Sequence, residues 1–169
     1  MPDTSTISTE PHEATLHSAE RGATVVAVIQ AAGRLLRAHE TLCQAHGLTG
    51  QQFNVLRILR GAERAGEAPL PTMTVGERMI EPEPGITRLM GRLEAKGLVE
   101  RLRCPADARC VRCALTPAGA AVLAALDGPM DAFHAKALAS FSVADLDALS
   151  GLLARLLPDP FPSPSSCPA

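Results

Sequence analysis

The chain has 169 residues, 46% of them apolar, but only four Phe and neither Tyr nor Trp, so any core must be aliphatic. So poor a supply of aromatics excludes the stacking platforms on which single-stranded nucleic acids are read. The net charge of −2 conceals an asymmetry: the segment from Arg88 to Arg112 carries +4 and the remainder −6. That is the footprint of an acidic body meeting phosphates with one face.

Residues 1–17, rich in Thr, Ser, Glu and Pro, and residues 158–169, rich in Pro and Ser, are expected to be disordered tails. The N-terminus lacks the basic and apolar regions of a signal peptide, and no apolar run is long enough to span a bilayer. A cytoplasmic protein with no membrane partner is expected. Its five cysteines would then stay reduced and form no disulfide framework.

From Ser18 to His46 the apolar residues Val25, Val28, Ile29, Ala32, Leu35, Leu36 and Leu42 fall on one helical face, and Gly47 supplies a left-handed end. Thr49 and Gln52 have capping-box spacing and open a second helix to about Gly61. After the polar loop ERAGEAPLP, Thr74 and Glu77 suggest another capping box, for a short helix ending near Ile80. EPEPG then opens a helix with Pro84 in its first turn, whose buried stripe is Ile86, Leu89, Met90 and Leu93. Arg88 and Arg92 lie one turn apart on its other side.

Beyond Gly97 the period becomes two, giving a hairpin of Leu98–Arg103 and Cys110–Leu115 around a break at 105–108. Thr116 and Pro117 cap a helix that Gly128 and Pro129 should break or kink before it resumes to about Ala139. Ser142 and Asp145 open the last helix, with Leu146, Leu149, Leu153, Leu156 and Leu157 as its stripe. The expected fold is mainly α with a small β-hairpin wing. It is a winged helix-turn-helix region over 48–116, joined to helical dimerisation segments at 18–47 and 117–157.

Three runs, LTGQQFNVLRIL, PGITRLMGRLEAKGLVERL and CPADARCVRCALTPAG, are similar in order and spacing to the MarR family of bacterial transcriptional regulators. The resemblance spans roughly Ser18 to Leu157. It implies a homodimer with interlocked terminal helices, a recognition helix in the major groove of a pseudo-palindromic operator, and a wing at the minor groove. Pro84, Gly85, Thr87 and Arg88 match the family's recognition-helix contacts, with Arg92 one turn on. Asp107 and Arg109 match the wing's Asp-x-Arg, and Arg112 follows on the second strand.

The resemblance further implies a repressor released by a small aromatic or phenolic ligand, for which Arg34, Arg37 and His39 are candidates. Two alternatives stay open: a redox or metal-responsive regulator using Cys43 or the wing thiols Cys104, Cys110 and Cys113, and an interaction module of the same fold that binds no DNA. Neighbouring Arg103, Arg109 and Arg112 would lower the thiol pKa values. A Cys104–Cys113 bridge would restrain the wing. A structural zinc site is disfavoured, since three cysteines without a nearby histidine leave a tetrahedral site one ligand short. No catalytic constellation and no cofactor motif is present in the sequence.

Overall fold

The computed structural model describes residues 10–80, 85–103 and 110–156, with side chains from Ala19 onward. Among the described residues six helices and three strands run in the order α1 (Glu10–Ala45), α2 (Gly50–Ala65), β1 (Leu70–Pro71), α3 (Thr72–Glu77), α4 (Ile86–Ala95), β2 (Val99–Arg103), β3 (Val111–Leu115), α5 (Pro117–Ala137) and α6 (Val143–Ala154). The chain divides into two compact units, Met1–Ala38 and His39–Ala169, with the boundary inside α1.

Helix α1 starts at Glu10, ahead of the expected Ser18, so part of the segment expected to be a disordered tail is helical. Its far end is as expected. Gly47 is left-handed (φ 72°), and the Leu48 N–H returns to the Cys43 carbonyl at 3.1 Å. Leu48, 3% exposed, seals the turn with its side chain.

The Thr49–Gln52 capping box forms in full: Thr49 Oγ1 accepts the Gln52 N–H at 3.2 Å and Gln52 Oε1 accepts the Thr49 N–H at 3.1 Å. Glu40 Oε2 accepts the Gly50 N–H at 2.6 Å and so caps the same helix from α1. Because α2 reaches Ala65 before left-handed Gly66 ends it, it is longer than the expected stop at Gly61.

Two other elements differ from expectation for identifiable reasons. No capping box forms at Thr74, because α3 begins after Pro71 and Thr74 already lies inside the helix. Of the break or kink expected at Gly128 and Pro129, the break does not occur: α5 is continuous across Pro129. The clash that keeps a residue before proline out of the helical region involves its Cβ, which Gly128 lacks. Leu126 and Met130, both buried, hold the helix down on either side.

The sheet has the order β1-β3-β2, all antiparallel, with Leu70 opposite Cys113 and Arg101 opposite Cys113 on the other edge. Strand β1 has no counterpart among the elements expected from sequence. Thr72 reinforces it by donating its hydroxyl to the Val111 carbonyl at 2.9 Å. The aliphatic core of Val55, Leu56, Leu59, Val75, Met90, Leu93, Leu123 and Leu126 lies between α2, α3, α4 and α5. Each of these side chains contributes about 1.5–3 kcal/mol by leaving water.

A bidentate ion pair joins α2 to α5: Arg60 donates from both terminal nitrogens to Asp127, each at 2.8 Å. These bonds hold the Asp127 carboxyl below its usual value of 3.8. The folded chain therefore keeps the anion at acidities where the unfolded chain is protonated. The pair contributes fully above pH 3.8 and is lost as pH falls through the lowered folded value. With the Asp127 side chain 49% exposed, its worth is held to under about 1 kcal/mol by solvent. Asp127→Asn should therefore lower the melting temperature slightly at pH 7 and flatten the acid limb below pH 4. A melting temperature unchanged at pH 7, with an acid limb as steep as wild type, would count against the pair.

Candidate nucleic-acid interface

Helix α4 is amphipathic by spacing alone. Ile86, Leu89, Met90 and Leu93 turn inward and are at most 6% exposed, while Thr87, Arg88 and Arg92 face outward. Its N-cap, Gly85, offers no side-chain cap. Gly85, Arg88, Leu89 and Arg92 line a groove of about 130 Å³ together with Gln51 from the first turn of α2. The helix start therefore presents backbone and guanidinium groups to one small cleft.

Arg88 and Arg92 make no ion pair or hydrogen bond with any described residue. Three other cations of the body are engaged in ion pairs: Arg60 with Asp127, Arg78 with Glu67 at 2.7 Å, and Arg101 with Glu94 at 3.4 Å. An arginine left outside such pairs keeps its planar donor fork for an external acceptor. In a groove about 12 Å wide, guanine O6 and N7 present the matching acceptor pair.

The remaining expected contacts divide. Arg112 is half-buried on β3, opposite Leu102 and Pro71, and is not among the residues lining the α4 groove. Pro84, Asp107 and Arg109 lie outside the described residues. Gln51 is the residue that sequence reasoning missed. The run TGQQ was legible only as a cap, and the approach of α2 to α4 is what turns Gln51 toward the groove.

A model of the MarR family matches residues 46–109, which include the α2–α4 segment and the first wing strand. The chain is 31% identical to a probable transcriptional regulator from Pseudomonas aeruginosa (78% of this chain and 95% of that one, TM-score 0.64). It is 30% identical to a MarR transcription factor from Planctomyces limnophilus, over 80% of this chain and 96% of that one, with a TM-score of 0.61. The chain belongs to the MarR family. A MarR variant from E. coli, solved in complex with operator DNA, shares the fold at 24% identity and a TM-score of 0.70, over 82% of this chain and 96% of that one.

The effector candidates of this MarR-family chain fall in different units. Arg34 and Arg37 are exposed on α1 within Met1–Ala38, and His39 belongs to the other unit. The His39 ring meets Phe53 edge-on at 5.2 Å and Phe133 at 6.5 Å, and Nδ1 lies 3.8 Å from Cys43 Sγ. Burial among these groups lowers its pKa, against the opposing pull of Glu40.

Of the wing thiols, Cys113 departs from expectation. Cys113 is fully buried, hydrogen-bonded to Thr72 Oγ1 at 3.3 Å and flanked by a strand on each side. Desolvation raises its pKa and outweighs the lowering by Arg101, so the arginine-activated thiolate is not found here. Burial likewise pushes Cys43 up to about 11. Cys110 is half-buried, and Cys104 lies outside the described residues. Among the described residues no group of three or more His, Cys, Asp or Glu could hold a metal ion.

Only thiolate is a competent nucleophile, so Cys43 and Cys113 should resist iodoacetamide at pH 8 in the native protein and react fully in denaturant. Mass mapping of the alkylated cysteines tests this. Native labelling of either residue at the rate of a free thiol would refute it.

Proposed function

We propose that this MarR-family chain is a sequence-specific DNA-binding transcriptional regulator that acts as a homodimer on a pseudo-palindromic operator. The observation carrying the proposal is the outward pair Arg88 and Arg92, unengaged by any described residue, on a helix whose opposite side is fully buried. Such a helix suits the major groove, and its arginines suit base edges and phosphates. The E. coli relative solved with operator DNA supports the same reading.

Homodimerisation is supported by apolar surface for which one chain has no use. Val25, Val26, Ile29 and Leu36 on α1 are 46–64% exposed, while α6 buries no residue and leaves Val143 and Leu152 at 76% and 57%. A surface of this kind marks an association face. Two-fold symmetry then requires half-sites about 10–10.5 base pairs apart, or a multiple of that.

Within this reading the protein is a repressor released by a small aromatic or phenolic ligand. The aromatic surroundings of His39 favour a ligand over a thiol trigger, given the burial of Cys43 and Cys113. A coupling of about 1–3 kcal/mol between ligand and DNA gives a 5–150-fold release.

Fluorescence anisotropy at physiological salt, comparing the promoter upstream of its own gene with random duplex, tests the proposal. Specific binding should be at least about 10³-fold tighter. Equal affinity for both duplexes sinks it.

A further inference from the structure

Lys96 belongs by sequence to the basic segment, but the structure gives it other work. It is the C-cap of α4, and Arg88, Arg92 and Lys96 follow one another at four-residue spacing along one helix. Its Nζ donates to the Gly47 carbonyl at 2.7 Å and to Gln52 Oε1 at 3.1 Å. Both acceptors belong to the elbow between α1 and α2. Gly47 is the left-handed residue that ends α1, and Gln52 Oε1 also accepts the Thr49 N–H that starts α2.

An ammonium at this point lies beside the carbonyl ends of two helices, α1 and α4, where partial negative charge collects. Two of its three donors are engaged by the protein. Gln52, 5% exposed, cannot turn away to water without breaking the capping box. The far end of α4 is thereby pinned to the elbow, one turn from Arg92 and two from Arg88.

We infer that Lys96 is a positioning residue: by tying the end of α4 to the α1–α2 elbow it sets the angle at which Arg88 and Arg92 are presented, and it does not itself contact DNA. This rests on the DNA-binding reading. A phosphate contact and a positioning contact have different salt signatures. Each phosphate neutralised by a lysine adds about one to the magnitude of the slope of log affinity against log salt. A lysine that only orients its neighbours adds nothing to that slope, yet its loss blurs base contacts.

The probes are the duplex that wild-type protein enriches from a random pool, and an unselected duplex, each titrated at several salt concentrations. Lys96→Met removes the charge and both hydrogen bonds at nearly constant length. It should lower the ratio of selected to unselected affinity by about tenfold or more, the equivalent of one blurred arginine contact, with the salt slope unchanged. Lys96→Gln, which keeps a donor for the elbow but no charge, should recover part of that ratio; it also carries the comparison should Lys96→Met fail to fold.

A slope reduced by about one, with equal losses on both duplexes, would make Lys96 an ordinary phosphate contact and overturn the inference. Affinities for both duplexes equal to wild type would overturn it as well. A wild-type protein that enriches no sequence would instead sink the regulator reading, so the two failures are distinguishable.

Discussion

Gly119→Ala is expected to destabilise the protein by about 3 kcal/mol, the upper part of the range for overpacking a core. A Cβ at this position falls onto the Leu98 carbonyl oxygen and within 2.8 Å of Leu115 Cδ1. Neither can give way easily. The Leu98 carbonyl accepts the Thr116 N–H at 3.2 Å, its own N–H donates to Leu93 at 3.0 Å, and Gly119 is held from the other side by Thr116 Oγ1 at 3.0 Å. Glycine lets the first turn of α5 lie directly on the junction between α4 and β2. A chain of this length should lose roughly 6–12 °C of melting temperature.

Gly91 is the matched control. It lies inside α4, and a Cβ added there would meet nothing within 4 Å, so alanine should add up to about 1 kcal/mol through helix propensity. Differential scanning calorimetry on both variants decides. A Gly119→Ala protein melting within about 2 °C of wild type would mean that the junction yields and the packing account is wrong.

Arg88→Ala should cost about 1–3 kcal/mol on the preferred duplex and much less on random DNA, because a bidentate base contact discriminates among base pairs. The side chain is exposed, lines the groove with Gln51 and Arg92, and has no partner among the described residues. Removing it therefore breaks nothing inside the fold, and the melting temperature should stay at the wild-type value. Re-selecting duplexes from a random pool with the variant should relax preference at one position in each half-site. If the variant instead loses affinity equally on selected and random duplexes, Arg88 touches only backbone.

Where structure follows from neighbours in sequence, the sequence was legible. Gly47, the Thr49–Gln52 box, the two hairpin strands, the Thr116–Pro117 start and the Ser142–Asp145 box all form as read, because each is closed by partners in the same or the next element of the chain. The two faces of α4 were equally legible from a 3.6-residue period. Strand β1 was not. Two residues, one of them proline, carry no period, and their partners Cys113 and Arg112 stand far along the chain.

The same distinction separates the parts of the site. Arg88 and Arg92 could be named from their helix alone, whereas Gln51 joins them only because α2 approaches α4. The thiol of Cys113 was illegible for a related reason. Counting nearby arginines takes in charge along the chain, but desolvation comes from the strand on each side of Cys113, and it outweighs the lowering by the Thr72 hydroxyl and by Arg101.

Strand β1 also bears on the order in which the protein can assemble. The β2–β3 hairpin and the turns of α4 close over short loops, but Leu70 must find Cys113 after the whole of α3, α4 and β2 has intervened. Closing that span costs more chain entropy than closing the hairpin. The β1–β3 ladder and the Thr72 bond to Val111 are therefore expected to form after the β2–β3 hairpin. In amide hydrogen exchange, the two-residue β1–β3 ladder should consequently open at lower free energy than the five-residue β2–β3 ladder.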